Sequence, residues 1–171
     1  MKNLSSVYNE DYFECGAESG KSLYSNFRWM PELTIPLAHQ LINILGLLEG
    51  DKVLDFGCAK GYLVKALRLL HIDAYGVDCS EYALQAAPGH ILPYLSSSLD
   101  DISLKPLADG SQFKAIIAKD VLEHLTVAEV KSFLQWARRY ADMVFVIVPL
   151  GDGERYVIPS YELDVTHVIR E

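Results

Sequence analysis

The sequence predicts an α/β fold built on a doubly wound, mainly parallel sheet, and three observations predict it. Short apolar runs alternate with stretches of helical spacing along the chain. The runs at 52–56, 114–118 and 143–148 are apolar on both faces, as strands covered by helices on each side must be. Glycines and N-capping residues stand at the junctions, where a strand has to turn into a helix.

Taken in order, residues 1–30 form a polar arm studded with aromatic side chains. Residues 36–48 carry Leu37, Leu41, Leu45 and Leu48 at helical spacing, and Gly50 stands where a C-terminal cap belongs. The first strand is 52–56, ended by Gly57, and Leu63, Ala66, Leu67 and Leu70 mark the helix after it. A second strand covers 74–77, followed by a short helix that Ser80 caps and Pro88 ends. A third strand is expected at 91–95 and a fourth at 114–118. The Thr126-x-x-Glu129 capping box opens a helix reaching Ala141, and 143–148 is the fifth strand. No repeat or low-complexity linker divides the chain, so it reads as an arm, 1–30, and one domain, 31–171.

Composition narrows the function classes. Half of the 171 residues are hydrophobic and 22% are charged, which excludes disorder for most of the chain. The net charge of −8 and the scattered Lys and Arg residues argue against a nucleic-acid partner gripped through its phosphates. Cys15, Cys58 and Cys79 have neither C-x-x-C spacing nor a histidine at metal-site spacing, so a reduced, cytoplasmic protein is expected. No apolar run approaches the ~18 residues of a membrane span, and no membrane partner is expected.

Ligands of such sheets bind beyond the carboxyl ends of the strands, so the residues just after each strand carry the chemistry. After the first strand comes Asp55-Phe56-Gly57-Cys58-Ala59-Lys60-Gly61, whose two glycines let the main chain turn sharply and a ligand lie against it. After the second comes Asp78, ~20 residues past the loop, where a carboxylate can accept from both hydroxyls of a ribose. A dinucleotide fingerprint needs glycine where Ala59 stands and a small residue where Tyr62 stands, since a tyrosine would hold the helix off, and no Walker motif is present. An adenosine without phosphates fits better. Taken singly, Gly57 and Gly61 also read as plain turn glycines, Asp78 as a solvated strand end, and Cys58 and Cys79 as small residues that fit.

The three motifs 53–61, Gly76-Val77-Asp78 and Asp120-Val121-Leu122-Glu123-His124, in that order, resemble class I S-adenosylmethionine-dependent methyltransferases over residues 52–148. The resemblance implies the Rossmann-like methyltransferase fold, S-adenosylmethionine as cofactor, and a small-molecule or glycan-type methyl acceptor. It implies that Asp55 and Gly57 lie under the methionine half of the cofactor, Asp78 on the ribose and Cys79 beside the adenine. Ser98 and Leu99 match the family's adenine contact after the third strand, although members often carry an aspartate where Ser98 stands. Ala59 replaces the usual middle glycine, and Lys119 would face the methionine portion through its backbone. Two further classes stay open: a nucleoside-binding protein without turnover, and a nicotinamide oxidoreductase, which Tyr62 disfavours.

His124 has three readings: a general base for an acceptor hydroxyl, a histidine packed at a helix start, or, with Asp120, Glu123 and the distant His167, a ligand of a divalent ion. The last is similar to a constellation in some metal-dependent sugar-hydroxyl methyltransferases, and the catalytic reading needs no metal. Tyr8, Tyr12, Tyr24 and Arg28 are expected either to close over the cofactor as a lid or to pack on the sheet's edge. The family normally adds a helix and two further strands past the fifth, and on that pattern the sequence is expected to be a shortened version of a longer protein, or else to cover the edge of its fifth strand in another way. Its exposed edge is expected to be covered by a homodimer or by residues 156–158 folding back on it.

Overall fold

The computed structural model describes residues 4–104 and 106–170; the first three residues of the arm, Lys105 and Glu171 lie outside the described residues. Five strands form one parallel sheet: β1 (Lys52–Phe56), β2 (Asp73–Val77), β3 (Leu95–Ser96), β4 (Ala115–Lys119) and β5 (Val144–Ile147). Their order is β3-β2-β1-β4-β5. The order reverses between β1 and β4, which opens a crevice at the carboxyl ends of these two strands.

The helices in chain order are α1 (Leu4–Val7), α2 (Glu10–Glu14), α3 (Gly16–Ser19), α4 (Pro31–Leu45), α5 (Tyr62–Leu69), α6 (Glu81–Gln85), α7 (Leu99–Leu104) and α8 (Val127–Tyr140). Alternation along the strands sorts the core into two layers. Val53 of β1 and Ile117 of β4 pack with Ala38 and Leu41 of α4 and Val64 and Leu67 of α5. Their neighbours Leu54 and Ile116 point the other way, onto Phe133 and Ala137 of α8. The capping box is made in full: the Thr126 hydroxyl accepts from Glu129 N, and the Glu129 carboxylate accepts from Thr126 N.

Three expectations are corrected. The first long helix runs Pro31–Leu45, not 36–48, because Pro31 can start a helix and Gly46, at φ +60°, ends it before Gly50 is reached. Pro36 lies inside it. The third strand is only Leu95–Ser96, since Leu92–Tyr94 form a 3₁₀ turn around Pro93, which has no N–H for a ladder. Residues 156–158 do not fold back on β5: Gly151 and Tyr156 form an antiparallel bridge, and Val157 N donates to Leu150 O (2.8 Å). Among the described residues, β5 pairs with β4 alone, and its Val146 is 40% exposed. No helix of the described residues is long and apolar enough to cross a membrane.

Candidate active site

A cavity of about 280 Å³ lies at the carboxyl ends of the strands, at the switch point. Four of the five strand ends contribute to its wall: Phe56, Gly57 and Ala59 at the end of β1, Val77, Asp78 and Cys79 at the end of β2, Ser97 and Leu99 after β3, and Asp120, Val121, His124 and Leu125 after β4. The arm supplies Tyr8, Tyr12, Phe13 and Tyr24 as a roof.

The loop after β1 is shaped by its neighbours. Gly57 N and Cys58 N both donate to Val77 O (2.8 and 3.1 Å), which draws the loop against the end of β2. Gly57 has φ +80°, and a Cβ there would come within 2.3 Å of a Val121 methyl, so both conformation and space demand glycine. Ala59 adopts φ +48°, unusual for a residue with a side chain, and its N–H donates to Asp78 Oδ2 (2.7 Å). Asp78 Oδ1 accepts from Ser80 N (2.7 Å), and the Ser80 hydroxyl caps α6. The carboxylate is thereby fixed at the cavity wall with lone pairs to spare. Burial raises the Asp78 carboxyl above its ordinary value, against the pull of those two backbone donors.

The structure brings some of the sequence-derived residues to the wall and leaves others behind it. Gly57, Ala59, Asp78, Cys79, Leu99 and His124 line the cavity. Asp55 lies beneath, 4% exposed at the end of β1, where burial, and then the charge of Asp78, push its carboxyl up to about 7. Cys58 faces the core: a Cβ on Gly76 would meet its sulfur at 2.7 Å. Gly61, at φ +69°, is the N-cap of α5 and packs on Leu95 and Ile91. Ser98 lines a neighbouring cleft with Phe133 and Trp136, and Ser97 takes the place at the wall. Lys119 ends β4 and pairs with Asp120. Arg28 is exposed and forms no part of the roof, whereas the three tyrosines do.

The roof is tied down at both ends. Ser80 Oγ donates to Tyr8 O (2.5 Å), and the Lys60 ammonium, 6% exposed, pairs with Glu14 and donates to Phe27 O (2.8 Å). Tyr62, read from the sequence as an obstacle to close packing, contacts Phe27 and Trp29 of the arm instead. Lys60 was invisible as an anchor because its partners are 33 and 46 residues away.

Behind His124 the segment after β5 comes in. Val168 N and Ile169 N donate to Glu123 O (2.7 and 3.2 Å), placing His167 beside the His124 ring at 4.6 Å between centroids. Glu123, His124 and His167 each offer one atom, all within 4.8 Å of one another. Asp120, grouped with them on sequence grounds, stands apart on Lys119. Among the described residues, both carboxylate oxygens of the buried Glu123 lack a partner, and burial pushes this carboxyl up to about 7. Burial drives His124 the other way, down to about 4, with Asp164 opposing the shift. Neutral imidazole is therefore its resting form at pH 7.

Residues 53–142 match the family described as the methyltransferase domain. The chain belongs to that family. The matched segment of this methyltransferase-domain protein ends just after α8, so the tail that carries Asp164, Thr166 and His167 lies beyond it. A ubiquinone biosynthesis O-methyltransferase of Alkalilimnicola ehrlichii is 34% identical over 84 residues, which cover 47% of this chain and 34% of that enzyme. Its counterpart from Methylococcus capsulatus is 36% identical over 93 residues, 53% of this chain and 39% of that enzyme. The similarity thus spans little more than a third of the curated relatives. Among solved structures, a SAM dependent methyltransferase from Archaeoglobus fulgidus superposes with a TM-score of 0.58 at 20% identity, covering 78% of this chain and 61% of that one. The magnesium protoporphyrin IX methyltransferase of Synechocystis, crystallised with SAM, gives 0.53 at 19% identity over 84% and 76%. These likenesses establish a common fold.

Proposed function

We propose that the chain binds S-adenosylmethionine in the cavity and transfers its methyl group to a hydroxyl of a small molecule or glycan-type acceptor. The observation that carries this reading is Asp78, fixed by Ala59 N and Ser80 N at the tip of β2 and open to the cavity, where a ribose diol can donate to it. The lining fits a cofactor that is cationic and lacks phosphate. Asp78 and Asp120 face the cavity and, among the described residues, no Lys or Arg lines it, so the described wall offers a pyrophosphate no cation while it offers a sulfonium carboxylates. The relatives' names support oxygen as the atom methylated. Three free cysteines support a cytoplasmic setting.

When bound, the cofactor supplies an electrophilic methyl on a sulfonium. The chain's part is placement and proton management. Gly57 lets the main chain approach closely, and the aromatic roof of Tyr8, Tyr12 and Tyr24 excludes water and narrows the acceptor's approach. His124, neutral and at the wall, takes the acceptor's hydroxyl proton as the new O–C bond forms.

Titration calorimetry with S-adenosylmethionine, S-adenosylhomocysteine and NAD tests the cofactor. The first two bind and NAD does not; Asp78→Ala loses hydrogen bonds to a charged acceptor worth roughly 1.5 to 3 kcal/mol, tenfold or more in affinity. Equal affinity of wild type and Asp78→Ala for S-adenosylhomocysteine overturns the placement. Incorporation of labelled methyl into a panel of phenols and sugars then tests transfer. Tight binding with no transfer to any of them would favour the nucleoside-binding reading.

A further inference from the structure

His124 stands on a hydrogen-bonded chain that none of the family motifs contains. Thr166 Oγ1 lies 2.7 Å from His124 Nδ1 and 2.5 Å from Asp164 Oδ1. Asp164 Oδ1 also accepts from Thr166 N (2.9 Å), closing a tight turn, and its other oxygen, Oδ2, accepts from the Tyr12 hydroxyl (2.7 Å). Asp164 is 6% exposed. An ionised carboxylate only accepts, so the Thr166 hydroxyl must spend its single proton on Asp164. Its oxygen can then meet His124 Nδ1 only as an acceptor. On this pattern of bonds the His124 proton belongs on Nδ1 and the lone pair on Nε2.

We propose that Thr166 and Asp164 are positioning residues for methyl transfer: the Asp164–Thr166–His124 chain fixes the histidine tautomer and presents Nε2 as the proton acceptor. This rests on the reading of His124 as base. In the step itself the acceptor oxygen forms a bond to the methyl carbon while the carbon–sulfur bond breaks, leaving a neutral thioether. The hydroxyl proton moves to Nε2, and the imidazolium returns it to solvent. The positive charge arises in a buried place faced by His167 and Glu123 as well as by Asp164 and Asp120. The hydroxyl bridge couples it to the Asp164 carboxylate in particular. The same carboxylate holds Tyr12 of the roof, so one side chain ties base, tail and arm together.

The tautomer is measurable with neither cofactor nor acceptor present. Protein labelled with ¹⁵N-histidine is examined at pH 7 by long-range proton–nitrogen correlation, and the His124 signals are identified by their loss in His124→Gln. Wild type and Thr166→Ser should carry the proton on Nδ1, whereas Thr166→Val should shift the population toward Nε2–H. With any acceptor found in the panel above, Thr166→Val should lower kcat by about 10²-fold, with KM and S-adenosylhomocysteine affinity unchanged and rate restored in Thr166→Ser. Nε2–H as the main wild-type form, or a tautomer that Thr166→Val leaves unmoved, overturns the proposal. Failure of the base reading is distinct: His124→Gln would then leave kcat intact although the Nδ1 tautomer is present.

Discussion

The two ends of the sheet treat the same residue types in opposite ways. At the amino ends of β1 and β4, Lys52 donates to Asp109 (2.7 Å) and Lys114 to Asp142 (3.0 Å) in open solvent. There Asp109 is held far below the ordinary carboxylate range by its bonds to Lys52 and Ser111. At the carboxyl ends Asp55, Asp78 and Glu123 are screened from water, and all three carboxyls rise. Charge at the first end is hydrated; at the second, burial works against it. The difference teaches why chemistry belongs at the carboxyl end. Loops leaving parallel strands there are long enough to build a dry wall, and in such a wall one carboxylate or imidazole acts far more strongly than in water.

The largest expected effect breaks the reactive end alone. His124→Gln should cut methyl transfer by about 10² to 10⁴ without weakening S-adenosylhomocysteine binding, as rate and calorimetry would show. Unchanged turnover would return His124 to a packing role.

Glycines with nearly the same backbone sharpen the contrast. Gly57 and Gly50 have φ +80° and +82°, yet a Cβ on Gly57 strikes Val121 whereas none of the described residues comes within 4 Å of one on Gly50. Gly50→Ala should cost about 1 to 2 kcal/mol for the left-handed conformation. Gly57→Ala should cost about 1 to 3 kcal/mol more for displacing Val121. Urea unfolding of both variants decides, and equal losses would mean that the cavity wall yields freely.

Titration separates the ends by sign. Asp55 has a folded pKa near 7 against an ordinary 3.8, so its contribution to stability is fully present below the lower value and lost as pH rises through the higher. Asp55→Asn should flatten the fall of melting temperature between those limits. Asp109 is shifted down, so its contribution is present above the ordinary carboxylate value and lost as pH falls. Being fully exposed, its replacement by asparagine should hardly move the curve at neutral pH. A pH profile unaltered by Asp55→Asn would contradict the burial of that carboxyl.

The smallest effect concerns thiols. Saturating S-adenosylhomocysteine should slow alkylation of Cys79 severalfold, leave exposed Cys15 unaffected, and find buried Cys58 unreactive with or without ligand. Mass-spectrometric labelling that shows Cys58 protected alongside Cys79 would move the ligand toward the core side of the loop.

Much of this was legible in the chain itself, because its causes are local. Short apolar runs bounded by turn residues define β1, β2 and β4, and the Ser80 and Thr126 caps announce α6 and α8 through bonds that span three residues. Gly57 and Asp78 declare themselves through backbone conformation and spacing along one βαβ unit. Pro93 and Gly46 carried local signals too, which in the structure shorten β3 and end α4 early. What only the tertiary structure decided is contact between segments far apart in sequence. Lys60 fastens the arm, Cys58 turns into the core while Cys79 faces the cavity, and the tail brings Asp164 within reach of Tyr12, 152 residues away. Such pairings depend on where folded surfaces meet, and a hydrogen bond across that distance leaves no periodicity in the sequence to betray it.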